Sequence, residues 1–221
     1  MTGYFKHNGI NHPGLDQYLF DHTTPESPLL SSLFRETHVR IHHPRRTSDH
    51  LTGKWLEMIC RMIRPQRVLE IGTFTGYGAL SMAAGLPEGA ELHTIEINDE
   101  LEPFLNKWIS QSPDREKIRL HIGDALNIIP KMKLLFDLVF IDGEKNQYVA
   151  YYEAALAKTR SGGFLIADNT LWSGKVLGQE IPENDNFTRG VMKFNDHIRN
   201  DGRVENVLLP LFDGMMVIRK T

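Results

Sequence analysis

Two short polar clusters carry the residue types from which a reacting centre could be built. Asp142-Gly143-Glu144-Lys145 follows the apolar run 136–141, and Asp168-Asn169 follows the apolar run 163–167. Asp142 and Asp168 offer carboxylates, and Asn169 offers an amide carbonyl. Such an all-oxygen set suits a hard divalent ion, Mg²⁺ first, with Mn²⁺ or Ca²⁺ also suited. It does not suit zinc, which takes Cys and His. The same residues also fit a plainer role in which Asp168-Asn169 caps a turn. Lys145 sits three residues past Asp142. Beside a divalent ion its ammonium is disfavoured by like charge, which lowers its pKa and suits it to act as general base. The alternative for Lys145 is a solvated surface charge.

A second set of residues could hold a ligand. Val68-Leu69-Glu70-Ile71-Gly72-Thr73-Phe74-Thr75-Gly76-Tyr77-Gly78-Ala79-Leu80 is an apolar run, a loop with three glycines and a helix-compatible stretch. In an open α/β sheet that order builds a ligand cradle. The dinucleotide fingerprint G-x-G-x-x-G fails at its second glycine. The acid Glu70 repels phosphate but can accept a hydrogen bond from an ammonium group. A tight strand-to-helix turn with no ligand is the alternative. Glu96 ends the next strand, where an acid holds ribose hydroxyls in α/β nucleoside sites. Asp124-Ala125 follows the third strand and could frame an adenine ring.

These positions depend on a regular frame. Strands are expected at 67–71, 91–97, 118–122, 136–141 and 163–167, with helices near 77–85, 99–111, 124–132 and 146–159. Such βα repetition marks a Rossmann-like, doubly wound, mostly parallel sheet, in which right-handed crossovers bring every strand's C-terminal end to one rim. A long polar loop is expected over 173–186, then a helix near 187–200. The strands 204–209 and 214–220 are joined by so short a turn that they must be antiparallel. Ahead of the sheet, residues 1–14 read as a loose arm, and helices are expected at 15–22, 29–41 and from Ser48 or Asp49 to 63, where Pro65 stops the last. The chain thus divides into an N-terminal helical extension, 1–64, packed on a main domain, 65–221.

Composition narrows the class. The chain has 221 residues, a formal charge of −3, a pI near 6.4 and a single cysteine. No internal disulfide is possible, and the apolar neighbours of Cys60 point to a buried helix position. The net charge offers no global attraction for nucleic acid. No apolar run is long enough to cross a membrane, and the N-terminus lacks a signal-peptide core, so a cytoplasmic protein is expected.

The glycine stretch 68–77, the run Phe140-Ile141-Asp142-Gly143-Glu144-Lys145-Asn146-Gln147-Tyr148, the run Asp168-Asn169-Thr170-Leu171-Trp172-Ser173-Gly174-Lys175-Val176 and the later Leu209-Pro210-Leu211-Phe212-Asp213-Gly214-Met215 resemble the class I cation-dependent O-methyltransferases. That group includes the caffeoyl-CoA and catechol O-methyltransferases and many bacterial relatives. The resemblance implies S-adenosylmethionine (SAM) in the cradle. Ser48, Glu70, Gly72 and Thr73 would lie at its methionine end, Glu96 on the ribose and Ala125 by the adenine. Gly78 falls where relatives often carry Ser. The resemblance also implies Asp142, Asp168 and Asn169 as metal ligands, Lys145 as the base and Trp172 near the acceptor.

The implied reaction is methylation of a catechol-like or other vicinal-diol small molecule, in a protein that is usually a homodimer. Two other readings compete with it: methylation of a hydroxyuridine in transfer RNA, and SAM binding without catalysis. The basic, His-rich segment 38–46 speaks weakly for the RNA, or is a solvated connector. Arg46 departs from the apolar residue, often Met, that many relatives carry there.

Overall fold

The computed structural model describes residues 12–178 and 180–221. Most of the arm expected over 1–14 therefore lies outside the described residues. The chain forms two compact units, His12–Asp124 and one that holds Ala125–Thr221.

The first unit opens with helices α1 (Leu15–Asp21), α2 (Pro28–Arg40) and α3 (His50–Ile63). Ser27 caps α2 by accepting from the Leu30 amide, and Pro28 opens the helix where a missing N–H costs nothing. Asp49, rather than Ser48, caps α3 by accepting from the Thr52 amide at 2.8 Å. The helix ends with Arg64 in the left-handed region, ahead of Pro65.

Strand β1 (Arg67–Ile71), helix α4 (Tyr77–Gly85), β2 (Glu91–Glu96), α5 (Glu102–Ser110) and β3 (Ile118–Ile122) follow. The strands lie in the order β3-β2-β1, all parallel. After its first residue β1 is buried throughout, as a strand covered on both faces requires. Helices α3 and α4 approach closely at Gly85, where a Cβ would lie 2.3 Å from the Glu57 carbonyl oxygen. Cys60 is fully buried, and burial pushes its thiol pKa up to about 12, so it packs rather than reacts.

The second unit contains α6 (Ala125–Ile128), β4 (Phe136–Ile141), α7 (Tyr148–Lys158), β5 (Thr159–Ala167), α8 (Asn186–Arg199), β6 (Val204–Leu209) and β7 (Met215–Lys220). Strand order is β4-β5-β7-β6; β4 and β5 are parallel, and β7 pairs antiparallel with both β5 and β6. The expected C-terminal antiparallel pair is present.

Strand β5 begins at Thr159, not at 163, and α7 stops at Lys158. The register passes from Phe136↔Thr159 to Leu138↔Phe164, so residues 160–163 bulge out of the pairing. Gly162 supplies the left-handed turn of that bulge (φ +75°). The core of this unit is aromatic. Phe194 of α8 meets Tyr148 and Tyr152 of α7 edge-on, at ring distances of 5.4 and 6.2 Å. Among the described residues, no helix is long and apolar enough to cross a membrane.

Candidate active site

The first unit carries the glycine cradle. Gly72 (φ +100°) and Gly76 (φ +89°) adopt backbone angles that an L side chain resists, which explains both glycines. The Gly72 and Thr73 amides both donate to the Ile95 carbonyl, fastening the loop to β2. Glu96 closes the far side. Its carboxylate accepts from the Phe74 amide (2.7 Å) and the Asn98 amide (2.9 Å). Burial raises its pKa, while these amides and the Arg46 charge oppose that rise. A carboxylate has about four acceptor sites, so Glu96 keeps capacity for a ligand's hydroxyls.

Glu70 turns inward. It is 1% exposed and accepts from Thr94 Oγ1 at 2.5 Å, while Thr94 shares a further short hydrogen bond with Thr73 Oγ1. Gly78 makes room for this acid, since a Cβ there would lie 2.6 Å from Glu70 Oε1. Ser48 is half-buried ahead of the α3 cap, and the neighbouring Thr47 hydroxyl lies 3.3 Å from Thr75 Oγ1 in the glycine loop. The sequence thus brings Ser48, Glu70, Gly72, Thr73, Gly78 and Glu96 to one strand-end region of this unit. An acid-lined cradle of this kind fits a sulfonium cofactor better than a pyrophosphate.

The second unit carries the cluster expected to do chemistry. Lys145 is not a solvated surface charge: it is 8% exposed, and its Nζ donates to Asp142 Oδ1 at 2.8 Å and to the Tyr148 hydroxyl at 2.5 Å. Burial disfavours its charge, but Asp142 and Tyr148 outweigh burial and hold the pKa above the usual lysine range. Among protein groups alone, therefore, the balance runs opposite to the lowering expected beside an ion.

Asp168 is 6% exposed and accepts from the Asn169 amide at 2.7 Å. Its pKa is pushed up to about 7, first by burial and then by the Asp142 charge. Asn169 sits in the left-handed region (φ +56°), which Asn tolerates better than most residues. Two carboxylates that repel each other at a buried strand end, with an Asn beside them, are a donor set that a hard divalent cation would relieve. Asp142, Asp168 and Asn169 therefore fit such an ion. The other clustered donors, Glu153, His197 and Asp201, fit one poorly. Arg203 Nη2 already lies 2.7 Å from Glu153 and 2.6 Å from Asp201, so their charge is satisfied.

Trp172 borders the cluster. Lys145 Nζ lies 5.9 Å from its ring centroid, and its ring meets Phe187 edge-on at 6.2 Å. Trp172 opens residues 172–177, where the long loop expected over 173–186 instead makes short 3₁₀ turns broken at Ser173 and Gly174. Ala125 is buried at the start of α6.

Three further residues shape the site without a role assigned by sequence spacing. Tyr148 bridges Lys145 and the backbone. Asp213 accepts from the Ser173 amide at 2.5 Å, and its pKa is raised by burial. Gly190 lets α8 press on the Lys145 backbone, since a Cβ there would lie 2.4 Å from the Lys145 carbonyl oxygen. The available signal for Tyr148 was its position one turn after Lys145, a spacing that puts two side chains on one face.

A family model described as O-methyltransferase matches residues 20–221. Catechol O-methyltransferase domain-containing protein 1 of Mus musculus is 33% identical over 211 residues, covering 92% of this chain and 79% of that protein. Caffeoyl-CoA O-methyltransferase 2 of Zea mays is 30% identical, covering 97% and 88%. Among solved structures, the O-methyltransferase TomG of Streptomyces achromogenes, in complex with SAM, superposes with a TM-score of 0.85 at 26% identity, covering 94% of this chain and 96% of that one.

Proposed function

We propose, for a chain that belongs to the SAM-dependent O-methyltransferase family, methyl transfer to one hydroxyl of a catechol-like or other vicinal-diol small molecule, assisted by a divalent cation. The observation that carries this reading is the pair of mutually repelling carboxylates, buried Asp168 and half-buried Asp142, with the Lys145 amine hydrogen-bonded to the second. SAM supplies an electrophilic methyl group on sulfur. A divalent ion supplies Lewis acidity that lowers the pKa of the acceptor hydroxyl.

Each part of the chain has a task in this reading. Gly72 and Thr73 hold the cofactor's methionine end, with Ser48 and Glu70 close by. Glu96 accepts from the ribose hydroxyls, and Ala125 flanks the adenine. Asp142, Asp168 and Asn169 would hold the ion, Mg²⁺ first, and Trp172 would wall the acceptor. The new oxygen–carbon bond forms as the carbon–sulfur bond breaks. The acceptor's proton passes to Lys145 Nζ and then to solvent. Lys145 can take that proton only as a neutral amine. What holds it charged is chiefly the Asp142 carboxylate, so anything that engages that carboxylate weakens the hold. Most of the rate enhancement comes from positioning and electrostatics. The reading carries with it a cytoplasmic homodimer that acts on a small molecule rather than on nucleic acid or a membrane.

Asp168→Ala tests this division of labour. The variant should bind SAM with a Kd close to wild type and lose methyl transfer by about 100-fold or more. Full transfer by the variant would contradict the reading, and loss of SAM binding would reassign Asp168 to the cofactor.

A further inference from the structure

We infer that Tyr148 is a positioning residue for Lys145, fixing its amine through a hydrogen-bond chain anchored on the backbone that carries Asp168. The inference rests on the role proposed for Lys145 and adds a residue that role requires. A lysine side chain has four rotatable bonds, and its ammonium gains little direction from a single partner. Lys145 Nζ has two partners: Asp142 Oδ1 at 2.8 Å, and the Tyr148 hydroxyl at 2.5 Å. An Asp142 carboxylate that also ligates a cation shares its charge and holds the amine less firmly. The Tyr148 hydroxyl is neutral and its ring is held elsewhere, so its hold on the amine is independent of a cation.

Three observations fix the Tyr148 hydroxyl. It accepts from Lys145 and donates towards the Asp168 carbonyl at 3.0 Å, with the Ile141 carbonyl at 3.4 Å. Those two carbonyls belong to the last residue of β4 and the residue just after β5. The hydroxyl therefore reads the ends of two paired strands at once. The ring is fully buried, packed edge-on against Phe194 of α8. The backbone is clamped as well, since α8 reaches the Lys145 and Asn146 main chain only because residue 190 has no Cβ. Lys145 thus has a fixed origin at its backbone and a fixed acceptor at its tip. Both remain when Asp142 is engaged elsewhere.

The test is a double-mutant cycle between Tyr148→Phe and Lys145→Met, with catechol as acceptor. Tyr148→Phe should lower kcat by about 10- to 100-fold, the usual cost of a displaced reacting group, with KM for catechol and Kd for SAM within about twofold. In the Lys145→Met background it should cause no further loss. An equal loss of kcat in both backgrounds, or an unchanged kcat in the single variant, would overturn the inference.

If Lys145→Met itself keeps wild-type kcat, the role of Lys145 fails, and the inference with it. A dead Lys145→Met beside a fully active Tyr148→Phe removes the inference alone. Should Tyr148→Phe fail to fold, Tm decides. The double variant, with no ammonium left to strand, should fold with a Tm close to that of Lys145→Met. Failure of the double variant to fold would count against the inference.

Discussion

Lys145 Nζ lies 2.8 Å from Asp142 Oδ1, and both groups stand at the end of β4 in the same unit as Asp168. This pairing gives the strand end a charge balance of two carboxylates and one ammonium. Asp168 has no ion pair of its own among the described residues, and burial first, then the Asp142 charge, raises its pKa. The balance makes the strand end sensitive to any change in the charge of one member.

Asp168 therefore sets a pH dependence. Its folded-state pKa, near 7, lies above the roughly 3.9 of an unfolded Asp. A carboxyl with a raised pKa contributes stability below the unfolded value and loses it as pH rises through the folded value. In chelator, Asp168→Asn should flatten the fall in Tm between about pH 4 and 8 and leave the variant more stable than wild type at pH 8. Differential scanning fluorimetry across that range checks it, and parallel curves for the two proteins would argue against it.

A second pair titrates in the opposite sense. His93 Nδ1 and His121 Nε2, on the adjacent strands β2 and β3, share one hydrogen bond at 3.0 Å. Burial lowers both pKa values, and His121 lowers that of His93 further. A His with a depressed folded pKa loses its contribution as pH falls below the unfolded value, about 6.5. The pair's contribution to stability should drop on acidification below that point, so the change in stability from pH 7.5 to 5.5 should shift towards the acid-stable side in His121→Gln. Urea midpoints at pH 7.5 and 5.5 for both proteins provide the measurement.

Gly190→Ala should hurt both stability and activity. The new methyl would meet the Lys145 carbonyl oxygen at 2.4 Å and the Asn146 Cα at 2.6 Å, both backbone atoms that cannot swing away. Overpacking of this kind costs about 1–3 kcal/mol, and the displaced segment carries Lys145. Chemical denaturation and kcat should fall together. A variant with lowered stability but wild-type kcat would show that the main chain at 145–146 can shift without consequence.

Much of this could be read from sequence, for identifiable reasons. Strands β1 and β4 are mostly apolar, each interrupted by one acid (Glu70, Asp137), and end abruptly before Gly72 and Asp142, so their boundaries and the polar residues after them are clear. The start of β5 is not, because 159–163 holds Thr, Arg, Ser and two glycines, a composition that suits a turn as well as a bulged strand. The burial of Lys145 was hidden for a different reason. Asp142 and Tyr148 stand three residues to either side of Lys145, but the enclosure is completed by Trp172 and the end of β5, which only the fold brings there. The inward turn of Glu70 likewise depends on Thr94 in the neighbouring strand and on the missing Cβ of Gly78.

The most direct test of the central proposal follows methyl transfer from labelled SAM to catechol, with the protein first treated with EDTA and then supplied with Mg²⁺ or Mn²⁺. Transfer should fall to background in chelator and return with either ion, while phenol, with its single hydroxyl, should accept far less. Undiminished transfer in EDTA would contradict the account of Asp142, Asp168 and Asn169.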